Sequence, residues 1–158
     1  MSYARKEYGD FQQLAPDAYE SVLAFGGLAA KAGLEKPLLE LIKLRASQIN
    51  GCAFCVQHHI LLAEKVGVPA DKLNLLVVWR EAPQFSERER AALAWAEALT
   101  LITAGVSDDV YEQARAEFSD EALMYLTSAI ASINVWNRFG VAYRWTPPAR
   151  QTPLGTAA

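Results

Sequence analysis

Helix-start and helix-stop signals recur along the chain, and this punctuation limits the fold more than any other feature. Pro16-Asp17 opens a segment reaching about Ala32, and Gly33 closes it. Proline fits the first turn, where its missing N–H has no partner anyway, and glycine just past a helix accepts the left-handed turn that ends it. A second helix runs from Pro37 to Ile49 and breaks at Asn50-Gly51. A third begins near Cys52 and ends at Val66, before Gly67. Pro69-Ala-Asp starts a short fourth. Ser86-Glu-Arg-Glu89 is a capping box ahead of a helix over Arg88–Thr103, which Gly105 terminates. Ser107-Asp108 starts a helix toward Phe118, and Ser119-Asp120-Glu121 starts the last, to about Arg144. The run Leu75–Trp79 is the one strand candidate, and it reads better as a buried helical end. The spacing predicts an all-α chain.

A length of 158 residues fits one domain over 1–158, with a core at about 15–145 and a Pro-rich tail at 146–158. The apolar fraction of 52% supplies a full core, and the net charge of −3 comes from interspersed acids and bases. Clustered Lys and Arg, the mark of a nucleic-acid surface, are absent. No apolar run approaches the ~18 residues of a membrane span. The first ten residues hold no apolar signal region. These features point to a cytoplasmic protein with no nucleic-acid or membrane partner. The last helix, Glu121–Arg144, is apolar on most sides, so it must be covered on more than one side. In so small a chain that predicts a subunit interface. The tail is too rich in proline for a helix, and is either loose or laid along a neighbouring subunit.

The chemistry is concentrated in Cys52-Ala-Phe-Cys55-Val-Gln-His58-His59, which holds both cysteines and both histidines of the chain. A c-type haem site needs His directly after the second Cys, and Val56 stands there. A structural zinc site needs four ligands, usually from two separated pairs. A thioredoxin motif needs a βαβ setting. Two buried structural cysteines beside a surface histidine are the plain alternative. In a reducing compartment a static disulfide is not expected, but residues i and i+3 of a helix lie about 5–5.5 Å apart between Cα atoms, close enough to form one on oxidation.

Helical angles sharpen this reading. Cys52, Cys55, Val56, His59, Ala63 and Val66 share one side of the third helix, an otherwise apolar stripe that faces the core. His59 therefore accompanies both sulfurs, and His58 lies further round. Cys52 falls in the first turn, where unpaired N–H groups favour a thiolate. If the second and third helices form an antiparallel hairpin about Asn50-Gly51, Glu40 comes alongside His59 to Ala63, where a carboxylate would orient the imidazole. Periodicity alone reads Glu40 differently, as a solvated acid beside Lys43 on the polar side of its helix.

Glu40, eleven residues, Cys52-x-x-Cys55, three residues and His59 together resemble the signature of the AhpD-like alkylhydroperoxidase branch of the carboxymuconolactone decarboxylase superfamily. Leu41–Cys52, Glu87–Glu97 and Ile133–Arg138 are similar to family members as well, and the resemblance covers about 15–145. It implies an AhpD-like helical domain whose antiparallel helix pair carries the Cys-x-x-Cys site, assembled as a homo-oligomer, trimer or hexamer. It implies Cys55 as peroxidatic cysteine, Cys52 as resolving cysteine, His59 as the base that activates Cys55, and Glu40 as the acid that polarises His59. The expected activity is a peroxiredoxin-like reduction of alkyl hydroperoxides, with an external dithiol or redox protein as reductant and no metal or organic cofactor. Phe54 stands where the best-known hydroperoxidases carry a second histidine. The cysteine pair argues against lactone decarboxylation. Thiol–disulfide exchange without peroxidase activity, and a non-enzymatic oligomeric binding module, are the alternative expectations.

Overall fold

The punctuation becomes helices in the computed structural model, which describes residues 4–150. They are α1 (Tyr8–Leu14), α2 (Pro16–Gly26), α3 (Leu28–Lys31), α4 (Lys36–Asn50), α5 (Ala53–Lys65), α6 (Ala70–Leu75), α7 (Glu87–Thr100), α8 (Asp108–Glu117) and α9 (Asp120–Tyr143), with single 3₁₀ turns at Leu76–Val78 and Ile102–Ala104. No strand occurs among the described residues, so the fold is all-α. Ser86, Ser107 and Ser119 each accept a hydrogen bond from the N–H three residues on, which satisfies one free donor of α7, α8 and α9. Glu89 returns a bond to the Ser86 N–H, completing the capping box.

Three elements differ from expectation. The segment Pro16–Ala32 is interrupted at Gly27. Paired glycines are poor helix formers, and a Cβ on Gly26 would lie 2.6 Å from Ser132 Oγ, so the pair also lets α2 press against α9. The helix expected to reach Thr103 stops at Thr100 and tightens into the 3₁₀ turn. Helix α1 was not anticipated. Seven residues are too few to hold a helix by propensity, and α1 is fixed by packing of the buried Phe11 and by a Glu7–Asp10 capping box.

Helix α4 lies at the centre, packed against α5, α7 and α9. Leu39, Leu41, Ile42 and Leu44 on α4 are buried, as are Leu93 on α7 and Leu126 and Ile130 on α9. Burial of each such side chain contributes about 1.5–3 kcal/mol. Helix α9 also meets α2, α3, α5 and α8. Its apolar sides are thus covered largely by its own chain, although Met124 and Val141 remain exposed. An all-round apolar helix here marks the middle of the subunit, so its composition does not itself require a neighbour.

Glu97 locks α7 to α4. Its carboxylate accepts from Arg45 Nε at 2.7 Å, Trp79 Nε1 at 2.9 Å and Arg80 Nη1 at 2.5 Å. Burial raises its pKa, but these donors outweigh that and hold it below the usual carboxylate range. At the other end, Arg144 takes a left-handed conformation (φ 54°), and Trp145 N–H bonds to Gly140 O. The chain turns back there and buries Trp145 against Phe11 and Tyr19. Thr146 then bonds to Glu7 through both its N–H and its hydroxyl, and Arg150 pairs with Glu64. The tail therefore lies on its own chain as far as residue 150; residues 151–158 of the expected loose tail lie outside the described residues.

Candidate functional site

The site begins at the turn between α4 and α5. Gly51 has φ 68°, a left-handed conformation that favours glycine, and it reverses the chain within one residue. A row of amides pins this turn to α9. Asn50 Nδ2 donates to Asn134 Oδ1 and to Asn137 Oδ1, each at 2.9 Å. Asn137 Nδ2 donates to Ser47 Oγ at 3.0 Å, and Ser47 Oγ donates to Lys43 O at 2.7 Å. Asn137 and Ser47 are wholly buried, where an unbonded polar group would be costly, so the network fixes the angle of the helix pair.

Cys52 is the N-cap of α5, and its sulfur accepts from the Cys55 N–H. The two cysteines are joined in a disulfide with Cα atoms 5.3 Å apart. Both are buried, at 1% and 3% exposure, against Ala46 and Ile133. They are not equivalent. Only Cys55 lines the cavity described below. Cys52 is pressed under α9, where a Cβ on Gly140 would fall 2.5 Å from its Sγ. Glycine at 140 thus makes room for the disulfide.

His59 lies one turn beyond Cys55, on the buried side, as the stripe predicted. Its Nδ1 is 2.7 Å from Glu40 Oε2, while Lys43 Nζ donates to Glu40 Oε1 at 3.0 Å. Glu40 is only 7% exposed, which corrects the solvated-acid reading. A polar residue on α4 looks outward by periodicity, but here one oxygen finds His59 across the helix pair and the other finds Lys43 one turn along α4. Burial raises the Glu40 pKa, yet the His59 hydrogen bond and the Lys43 charge prevail and keep it below the usual value. Glu40 is therefore ionised and can only accept, so His59 Nδ1 donates to it and Nε2 is the ring nitrogen left to exchange a proton. His58 is turned another way. Its ring is stacked on Phe54 (5.9 Å, 11°), and burial, then the neighbouring His59, lower its pKa.

Cys55, His58, His59 and Lys43 share a cavity of about 270 Å³. Its other walls are mainly apolar: Tyr8 from α1, Leu23 from α2, Phe54 and Leu62 from α5, Ile133 and Trp136 from α9, and Trp145. Sequence reasoning missed Tyr8, Lys43, Trp136 and Trp145 as site residues, together with the Asn50, Asn134 and Asn137 network. Trp136 and the two late asparagines carried a signal as part of the family-like segment Ile133–Arg138, and Lys43 and Asn50 as part of Leu41–Cys52; Tyr8 and Trp145 carried none. Among the described residues no group of three or more His, Cys, Asp or Glu is placed to hold a metal ion, and none of their helices is long and apolar enough to cross a membrane. The arrangement offers a dithiol/disulfide pair, one sulfur of which opens to a small-molecule cavity beside an imidazole whose tautomer is fixed by a carboxylate.

Residues 16–98 match the model of the carboxymuconolactone decarboxylase family. A solved structure from Agrobacterium tumefaciens, of a protein of unknown function and candidate antioxidant defence protein AhpD, is similar at 42% identity and TM-score 0.86, with 94% of this chain and 100% of that one covered. The uncharacterized protein YdfG of Bacillus subtilis (strain 168) is 33% identical over 84% of this chain and 90% of its own length. An alkylhydroperoxidase AhpD core, an uncharacterized peroxidase-related protein from Ralstonia eutropha JMP134, shares the fold (TM-score 0.76, 22% identity, 87% and 74% covered).

Proposed function

As the chain belongs to the carboxymuconolactone decarboxylase family, in its AhpD-like branch, we propose that it is a peroxiredoxin-like oxidoreductase that reduces organic hydroperoxides through Cys55 and Cys52. The observation that carries this reading is the Glu40–His59 hydrogen bond, made by an imidazole that lines the same cavity as Cys55. In the reduced protein His59 takes the Cys55 proton, and Glu40 stabilises the imidazolium. The thiolate attacks the terminal oxygen of the hydroperoxide. The O–O bond breaks, the alcohol leaves with the proton from His59, and Cys55 becomes a sulfenic acid. The Cys52 thiol attacks that sulfur, the S–S bond forms and water leaves. An external dithiol, small or protein-borne, reduces the disulfide and takes its oxidation. Such a cycle needs a compartment that supplies reductant, which the cytoplasm does. The working form is a homo-oligomer, trimer or hexamer; Leu23, Leu101, Ile102, Val77 and Val78 supply exposed apolar surface for it.

Hydroperoxide-dependent oxidation of a dithiol donor, measured with wild type and with Cys55→Ser, tests the reading. Turnover that is lost in the variant supports it. A second reading, thiol–disulfide exchange with a protein partner and no peroxide, is favoured by Phe54, whose ring supplies no proton where a second histidine would stand. It predicts disulfide exchange without peroxide turnover. Light scattering that gives the 17.4 kDa subunit mass would exclude the oligomer.

A further inference from the structure

The wall of the cavity has a chemistry that the reaction of Cys55 does not require. Four aromatic side chains from three distant parts of the chain, Tyr8, Phe54, Trp136 and Trp145, line it. Tyr8 and Phe54 are stacked (centroids 5.0 Å, planes 23° apart), and Trp145 stands edge-on to both, at 5.2 Å and 5.4 Å. The assembly is held in place before any ligand arrives. The Tyr8 and Tyr19 hydroxyls share a hydrogen bond of 2.8 Å, and the left-handed turn at Arg144 fixes Trp145. A wall already ordered loses little freedom on binding.

Charge offers no alternative basis for selection. Lys43, the only cationic side chain of fixed charge among the lining residues, is already paired with Glu40 at 3.0 Å. His58 has its pKa lowered by burial and stays neutral at neutral pH. An anionic substrate would find no unpaired charge. Size points the same way. An apolar cavity of about 150 Å³ is enough for benzene, so 270 Å³ holds an aryl ring together with a reacting head. Flat rings gain from edge and offset contacts with aromatic walls beyond what their area provides.

We infer that the cavity over Cys55 selects substrates with an aryl body, and that the stacked pair Tyr8 and Phe54 determines this selection. The inference rests on the peroxidase reading for its reaction, but not for its binding test. Cumene hydroperoxide and tert-butyl hydroperoxide have the same tertiary peroxide head, with a phenyl group in one where the other has a methyl. Reduced wild type should be oxidised at Cys55 at least about tenfold faster by the aryl compound, after normalisation to a free dithiol. Phe54→Leu and Tyr8→Leu should bring the ratio toward one. A ratio near one in wild type, or a wild-type ratio kept in both folded variants, would overturn the inference.

The binding test uses reduced wild-type protein and no peroxide. Cumyl alcohol, its saturated cyclohexyl counterpart and tert-butyl alcohol are compared for slowing the alkylation of Cys55 by iodoacetamide. Cumyl alcohol should protect at concentrations at least about tenfold lower than either competitor. Equal protection by the cyclohexyl compound would show a merely apolar cavity and overturn aryl selection. If no hydroperoxide oxidises Cys55 faster than a free dithiol, the peroxidase reading falls, and the protection series still decides the aryl preference.

Discussion

Two sides of one cavity are built in opposite ways. The polar side is Glu40, Lys43 and His59, from two consecutive helices, with each charge or proton satisfied by a neighbour at 2.7–3.0 Å. The aromatic side is Tyr8, Phe54, Trp136 and Trp145, gathered from both ends and the middle of the chain and held by ring contacts. The polar side fixes where a proton sits and, in the proposed reaction, governs how Cys55 ionises. The aromatic side fixes a shape and contributes apolar burial. Changes on the polar side should therefore appear in pH profiles, and changes on the aromatic side in stability and in discrimination between substrate bodies.

The largest expected effect is on the polar side. His59→Gln should slow Cys55 oxidation about 10²–10⁴-fold at neutral pH, the usual worth of general-base assistance. Stopped-flow rates against pH should show the defect shrinking as pH approaches ~8.5, where a thiol ionises unaided. A constant defect at all pH values would mean that His59 acts through structure alone. On the aromatic side, Trp145→Ala should lower stability by about 3–5 kcal/mol in urea unfolding, the typical cost of removing a buried tryptophan. A loss below about 1 kcal/mol would show that Trp145 is not part of a packed wall.

Glu40→Gln should cost about 1–3 kcal/mol at neutral pH, since it removes one partner from buried hydrogen bonds, and should reduce activity less than His59→Gln does. The sign of its pH dependence follows from the lowered pKa. The ionised form is favoured in the folded state, so its stabilisation is complete above the ordinary value of 4.5 and is lost as pH falls through the folded value. Unfolding curves of Glu40→Gln should therefore fall off less steeply below that pH than those of wild type. The smallest effect is expected for His58→Gln, with activity near wild type. Because burial lowers the His58 pKa, wild type should lose stability as pH drops below the ordinary histidine value of 6.5, and this variant should lose less.

Much of the polar side was legible because its residues obey helical spacing. Cys52, Cys55 and His59 fall on one stripe whatever else the chain does, and Gly51 marks the reversal that brings Glu40 opposite. Glu40 itself was ambiguous for a physical reason: a polar residue on a helix counts as outward in any periodic pattern, and it takes His59 on the facing helix, with Lys43 on its own, to make burial tolerable. The aromatic side left no such trace. Tyr8 sits in a seven-residue helix with one buried residue, and Trp145 follows a left-handed Arg144 that no glycine announces. Contacts between the two ends of a chain have no period to read. Helix α9 misled in the opposite sense, because an all-round apolar surface suits a helix central to its own subunit as well as one at an interface.

The account depends most on the division of labour between the sulfurs, which the structure suggests by opening only Cys55 to the cavity. Mass spectrometry of reduced Cys52→Ser treated with one equivalent of cumene hydroperoxide tests it directly. The account predicts one added oxygen, trapped as a sulfenic acid adduct at Cys55, while wild type under the same conditions gains no oxygen and loses two hydrogens to the Cys52–Cys55 disulfide. An unmodified Cys55 in this variant, with oxidation instead in Cys55→Ser at Cys52, would contradict it.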